Sequence, residues 1–167
     1  MKKHIFIILL VIFSIRLSGQ PKSHIEHYGL EEGLPQRIIM DILQDRKGFI
    51  WLATWDGLCK FDGYNFTTYK TFSDDSILMG NNRIDEIIED TYGYIWLNTY
   101  NRETFRFDPK TEKYVAAFLV NGKSFKTSRI ETKPSGKVWL ISQSMGAICI
   151  LDSLNNFEIF SLGTCSV

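Results

Sequence analysis

Aromatic rings stand beside carboxylate, amide and guanidinium groups at Trp55-Asp56 and Tyr100-Asn101-Arg102, with Arg37 and Arg83 upstream of them and the polar pair Gln143-Ser144 at the corresponding place further on. Rings of this kind stack on the apolar faces of sugars while the polar groups bridge hydroxyls, so the chemistry they suit is carbohydrate binding. Acid–base catalysis at neutral pH most often recruits histidine, and the histidines here are His4, His24 and His27, all near the N-terminus. No Gly-x-Ser-x-Gly elbow accompanies them. The set is expected to be a binding surface, with no catalytic residue and no cofactor assigned.

Two other motifs carry less than they promise. Asn121-Gly122-Lys123-Ser124 has the end of a phosphate loop, but the upstream glycine position is held by Ala117, so the backbone cradle is not encoded. His24 and His27 flank Glu26 with no third ligand in view, so no metal site is assigned.

The chain has 167 residues, 44% hydrophobic and 14% aromatic, enough to build a core. Nineteen basic residues balance nineteen acidic ones, which excludes the strong positive field that nucleic acid requires. The three cysteines, Cys59, Cys149 and Cys165, show no CxxC spacing and are expected to be small buried thiols. Residues 1–20 differ in kind. Lys2 and Lys3 precede an apolar run from Ile5 to Ile15, shorter than the roughly 20 residues of a membrane span, and this pattern is that of an export signal. The rest of the chain is expected in an exported compartment, the periplasm.

What positions the ring-bearing turns is a repeat. Ile39 to Trp55 lies over Ile84 to Tyr100 when the chain is shifted on itself, and Gly93-Tyr94-Ile95-Trp96-Leu97 lies over Gly136-Lys137-Val138-Trp139-Leu140. A period in the forties admits helical arrays or propeller blades, and the local pattern chooses strands. Each unit holds four short β-branched or aromatic runs, in the first unit Ile38–Gln44, Phe49–Thr54, Leu58–Phe61 and Phe66–Tyr69. Between the first two runs stand Asp45-Arg46-Lys47-Gly48 and Asp90-Thr91-Tyr92-Gly93, with Asp and Gly at the type I turn positions they favour; the third unit has Lys133-Pro134-Ser135-Gly136, keeping the turn through proline. Asp56-Gly57 and Asp62-Gly63 fit two-residue hairpins. The second run, such as Phe49 to Ala53, lacks polar alternation and is expected to be buried on both faces, with Trp51, Trp96 and Trp139 as wedges between blades.

The expected fold is therefore all-β: about three four-stranded antiparallel blades of an incomplete β-propeller, over units 36–70, 81–118 and 127–162. A strand at 24–28 is expected to complete a closing blade. Three units fall short of the four to eight blades that close a propeller, so the partners expected are the remaining blades of a longer chain, or other copies of this one.

Asp45, Gly48, Phe49, Ile50, Trp51, Leu52, Thr54, Gly57, Leu58, Phe61, Asp62 and Gly63, preceded by Glu32-Gly33-Leu34, carry a resemblance to the two-component regulator propeller repeat. The resemblance implies the N-terminal periplasmic sensor part of a hybrid two-component protein, anchored in the inner membrane by a later segment, with its histidine kinase outside these residues. It also implies an oligosaccharide ligand. An antibiotic-inactivating lyase of propeller type, or a protein-interaction scaffold, is the alternative. Because function on repeat folds concentrates in the variable connections, the ligand-binding candidates are Trp55, Asp56, Tyr100, Asn101, Arg102, Gln143, Arg37 and Arg83.

Overall fold

The computed structural model describes residues 25–71, 79–151 and 156–161. The export signal over 1–20, His24, Asp152 and Cys165 lie outside the described residues. Three four-stranded antiparallel sheets follow one another, each in simple sequence order. The first contains β1 (Ile39–Gln44), β2 (Ile50–Thr54), β3 (Gly57–Phe61) and β4 (Phe66–Tyr69); the second contains β5 (Ile84–Glu89), β6 (Ile95–Thr99), β7 (Thr104–Asp108) and β8 (Lys113–Ala117). A two-stranded hairpin, β9 (Leu119–Val120) and β10 (Lys123–Ser124), leads to the third sheet, β11 (Arg129–Thr132), β12 (Val138–Ser142), β13 (Ala147–Leu151) and β14 (Phe157–Ser161). β1 lies against β5, and β5 against β11, so the sheets stack as blades with their first strands side by side.

Each blade interface is filled by one tryptophan. Trp51, fully buried, packs with Ala53 and Leu58 of blade one against Ile87, Ile95, Leu97, Phe105 and Phe107 of blade two. Trp96 sits equivalently against Ile130, Val138 and Leu140 of blade three. An indole in such a place must still satisfy its N–H, and the turn aspartate does so. Asp45 Oδ2 accepts the Trp51 Nε1–H at 2.8 Å, while Oδ1 accepts the amides of Lys47 and Phe49. Asp90 repeats the arrangement with Trp96 at 2.8 Å and the amides of Tyr92 and Tyr94. Both carboxylates are buried. The turn aspartate thus has a second task beyond closing the turn.

Blade three keeps the turn, with Gly136 N donating to Lys133 O at 2.8 Å, but not this bond. Lys133 holds the aspartate's place and sets its ammonium 4.7 Å from the Trp139 ring centroid. In the first two blades a cation reaches the ring from the strand paired with it, Lys60 at 5.7 Å from Trp51 and Arg106 at 5.6 Å from Trp96. Ile150 stands in that place in blade three. Trp139 is only half-buried, and β12 alternates buried and half-buried where β6 is buried throughout. The expectation that all three tryptophans are wedges is corrected here: among the described residues no blade covers the Trp139 face.

Other expectations are corrected too. Residues 25–29 form no strand. The segment instead lays the Tyr28 ring 4.8 Å from Phe61 and 6.0 Å from Phe66, with Leu34 packed on Leu52 and Cys59. Backbone that pairs with no strand gains no ladder bonds, and this segment is held to blade one by side-chain packing. The β3–β4 connection spans four residues, not two, because Asp62 Oδ1 accepts the amides of both Tyr64 and Asn65. The β2–β3 connection is the two-residue Trp55-Asp56 turn as expected. Gly57 follows it at φ 121°, and a Cβ there would lie 2.6 Å from the Tyr69 carbonyl oxygen, so no other residue fits. Cys59 and Cys149 are buried free thiols, pushed up to about 11 and about 12 in pKa by burial, and unreactive for that reason.

Asp90→Ala strands a buried indole N–H and two amides, and is expected to lower unfolding stability by about 2 to 4 kcal/mol. Asp108→Ala removes a turn carboxylate bonded to Lys110 N and Thr111 Oγ1 at the exposed edge and should cost about 0.5 kcal/mol. Urea denaturation of both variants checks this, and equal costs would refute the assignment of the tryptophan bond as the stronger constraint.

Candidate functional site

The loops joining second to third strands gather at one end of the blades. Two β-bulges shape this end. The pairing of β1 with β2 shifts between Ile39 and Asp41, and that of β5 with β6 between Ile84 and Glu86, leaving Met40 and Asp85 as the extra residues; β11 has no such shift. Bulges re-aim side chains, and here one aims a side chain at the ring of Trp55 and the other at the guanidinium of Arg83. Met40 Sδ accepts the Trp55 indole N–H at 3.3 Å, and Asp85 Oδ1 accepts Arg83 Nε–H at 3.0 Å.

The result is a three-layer stack. The Arg83 guanidinium carbon lies 4.6 Å from the Trp55 ring centroid and 4.3 Å from that of Tyr100. Tyr100 N donates to Arg83 O at 3.0 Å, fixing the second ring to the cation's own backbone. Trp55 belongs to blade one and Tyr100 to blade two, so the stack ties the two at their loop end. Both rings keep one side to solvent, at 43% and 55% exposure.

Beside Tyr100 opens a cleft of about 850 Å³, lined also by Asp41, Glu86, Asn98, Arg102 and Arg129. Two of these carboxylates bridge blades. Asp41 Oδ2 accepts Ile87 N at 2.9 Å, and Glu86 Oε2 accepts Ile130 N at 2.8 Å. Arg129 faces Ile141 at the register position where Asp41 faces Ala53 and Glu86 faces Asn98, so blade three offers a cation there. Burial is the main cause that pushes the Glu86 carboxyl above its ordinary range; the Ile130 amide opposes this and the Asp41 charge adds to it. Arg102 holds the rim in left-handed backbone at φ 61°, its N–H on Thr99 O and its carbonyl accepting Thr127 N.

Of the eight candidates, Trp55, Arg83 and Tyr100 form the stack, and Asn101 and Arg102 line the cleft with Tyr100. Gln143 borders it, its N–H on the Oγ of Ser128, another lining residue. Asp56 is turned to Lys70, at 2.6 Å. Arg37 stands apart, on a second hollow of about 560 Å³ formed with His27, Tyr28, Glu32 and Leu34. Sequence reasoning missed Asp41, Asp85, Glu86 and Asn98. A signal was available: Asp41 and Glu86 superpose under the same shift that superposes Trp51 and Trp96.

With this geometry in hand, comparison with known proteins separates fold from function. The two component regulator propeller family matches Gly33 to Asp56, the segment carrying β1, β2 and the Trp55-Asp56 turn. Residues 33–56 match a two-component regulator propeller repeat. Over 71 residues the chain is 37% identical to histidine kinase P4 of Formosa agariphila, covering 42% of this chain and 5% of that protein. The extracellular domain of the hybrid two component system BT3049 from B. thetaiotaomicron is similar in structure, at a TM-score of 0.67 and 25% identity, over 83% of this chain and 20% of that one. Virginiamycin B lyase from Staphylococcus aureus shares the propeller fold at a TM-score of 0.65 and 17% identity, over 87% of this chain and 48% of that one. The chain therefore spans a twentieth of the kinase and a fifth of the extracellular domain. No helix among the described residues is long and apolar enough to cross a membrane.

Because its folded-state pKa is raised, Glu86 binds its proton more readily folded than unfolded, so its ionisation costs stability that appears as pH rises above the ordinary glutamate value of about 4.3. Glu86→Gln keeps an acceptor for Ile130 N without that cost. The variant is expected to melt with the native protein near pH 4 and above it near pH 7; a difference that does not change with pH would refute the burial of this charge.

Proposed function

We propose that this chain is the recognition part of an exported two-component sensor, and that its loop end binds an oligosaccharide. The observation that carries the reading is the Trp55–Arg83–Tyr100 stack beside a cleft lined by carboxylate, amide and guanidinium groups. Exposed ring faces offer stacking to a sugar's C–H face, and the planar polar groups offer paired hydrogen bonds to its hydroxyls. The cleft is large enough for a few sugar rings, within the roughly 300 to 1,000 Å³ of small-molecule sites. The likeness to the extracellular domain of a hybrid two component system supports a sensing role and an extracytoplasmic location for this reading. Signal output then belongs to segments beyond these residues, a membrane anchor and a kinase, and the remaining blades pack on the outer faces of blades one and three.

Isothermal titration of the whole chain against a panel of neutral oligosaccharides tests this, with product analysis of the same mixtures. Tyr100→Ala and Arg102→Ala are each expected to weaken binding about tenfold, equivalent to about 1.4 kcal/mol, and to move Tm by less than about 3 °C. Unchanged affinity in both variants overturns the assignment of the loop end, and cleavage of a bound sugar overturns the sensing role in favour of an enzyme.

A further inference from the structure

One buried polar atom in the cleft is unaccounted for. Asn98 is 5% exposed; its Nδ2 donates to Thr127 O at 3.2 Å, and its Oδ1 accepts no hydrogen bond among the described residues. The amide cannot be turned round to relieve this, because the Thr127 carbonyl only accepts, and two oxygens facing each other would repel. Oδ1 is therefore a fixed acceptor, desolvated and in want of a donor, a state that costs stability unless something fills it.

Its neighbours are acceptors as well. Glu86 is the register partner of Asn98 across β5 and β6, a pairing that sets side chains about 5 Å apart. Glu86 gives one oxygen to the Ile130 amide, Asp41 gives Oδ2 to the Ile87 amide and Oδ1 to that of Ile42, and both carboxylates retain further lone pairs. Of the hydroxyls on this wall, Thr99 Oγ1 donates to Glu103 O, while Ser128 Oγ accepts Gln143 N and keeps its own O–H. The cations are at the rim. Arg129 is 67% exposed in its side chain and paired with Glu131 at 3.2 Å, and Arg102 is exposed. Solvent screens rim charges, while the half-buried carboxylates act in a lower dielectric. No group of three His, Cys, Asp or Glu among the described residues is placed to hold a metal ion.

A wall of unfilled acceptors around a half-buried pair of carboxylates is complementary to a group with several donors, positive charge and no lone pair. A hydroxyl brings one donor together with lone pairs that the carboxylates repel; a primary ammonium brings three donors and none. We propose that this cleft is an ammonium-binding site, taking an amine-bearing sugar whose protonated amino group is held by Asn98 Oδ1, Glu86 and Asp41. The proposal rests on the recognition reading above and narrows it to amino sugars. Burial is the main cause that raises the Glu86 carboxyl, with the Asp41 charge adding to it and the Arg129 charge at the rim opposing it.

Three trisaccharides of matched size separate the outcomes: chitotriose, which carries free amines; its fully N-acetylated counterpart; and cellotriose, which carries hydroxyls in their place. Titrated into the whole chain near pH 5.5 and constant ionic strength, chitotriose is expected to bind at least tenfold tighter than either of the others. Glu86→Gln, which keeps the Ile130 bond, and Asn98→Leu, checked for native circular dichroism, are each expected to cut that preference by about tenfold. Cellotriose binding as tightly as chitotriose overturns the ammonium site and leaves the recognition reading standing. A chitotriose preference that survives in Glu86→Gln also overturns it, and no binding of any of the three overturns both.

Discussion

A tryptophan driven between two β-sheets carries one polar atom into a place with no water, and the stack of blades depends on how that atom is satisfied. Here a buried carboxylate does it, Asp45 for Trp51 and Asp90 for Trp96, each with an Nε1–Oδ2 distance of 2.8 Å. The same carboxylate accepts two amides of its own turn, so the hairpin, the ring orientation and the blade interface are fixed by one side chain. The bond fixes more than the burial of an indole alone would, because a ring held only by dispersion is free to slide while a charged hydrogen bond is directional. Blade three shows the converse. With lysine in the aspartate's place and isoleucine in the cation's, Trp139 is half-buried and met by an ammonium on its face.

The first strands solve a second problem, how blades that share no ladder stay in register. Asp41 reaches from β1 to Ile87 N, and Glu86 from β5 to Ile130 N, so each blade borrows an acceptor from the one before. These acids sit beside bulges, and the bulges also aim Met40 at the Trp55 indole and Asp85 at the Arg83 guanidinium. Structural bonding and site geometry thus share residues. The acids that hold blades together line the cleft, and the extra residues that interrupt the ladders steady the aromatic stack.

Much of this was legible in the sequence. The strands fall close to the expected runs, with β4 at Phe66–Tyr69 as read and β1 at Ile39–Gln44 one residue shorter, because alternating β-branched and aromatic runs between Asp and Gly turns encode local geometry directly. Trp55 and Tyr100 stand out by their variation within a repeated frame, and Arg83 by its place in the loop that enters a first strand. What was not legible depends on registry between blades. Glu86 reads as an ordinary polar position in an alternating strand until β11 is laid against it, and the bulge that displaces Asp85 leaves no mark in composition. The Asn121-Gly122 dipeptide, weighed as a phosphate-loop end, is a hairpin turn with both residues at positive φ, 51° and 75°. A hairpin reading needed only the turn rule, but its two-residue strands are too short to announce themselves.

The guanidinium between Trp55 and Tyr100 changes what those rings can offer. Two aromatic side chains facing an open slot would have to find a common spacing each time something entered, losing rotational freedom at that moment. With Arg83 already lodged between them and tethered by Asp85, the spacing is set in advance, and a ligand meets two ring faces that are already still. A surface whose spacing is set in advance loses less entropy on contact, and here the preset spacing joins blades one and two, because Trp55 belongs to the first and Tyr100 to the second.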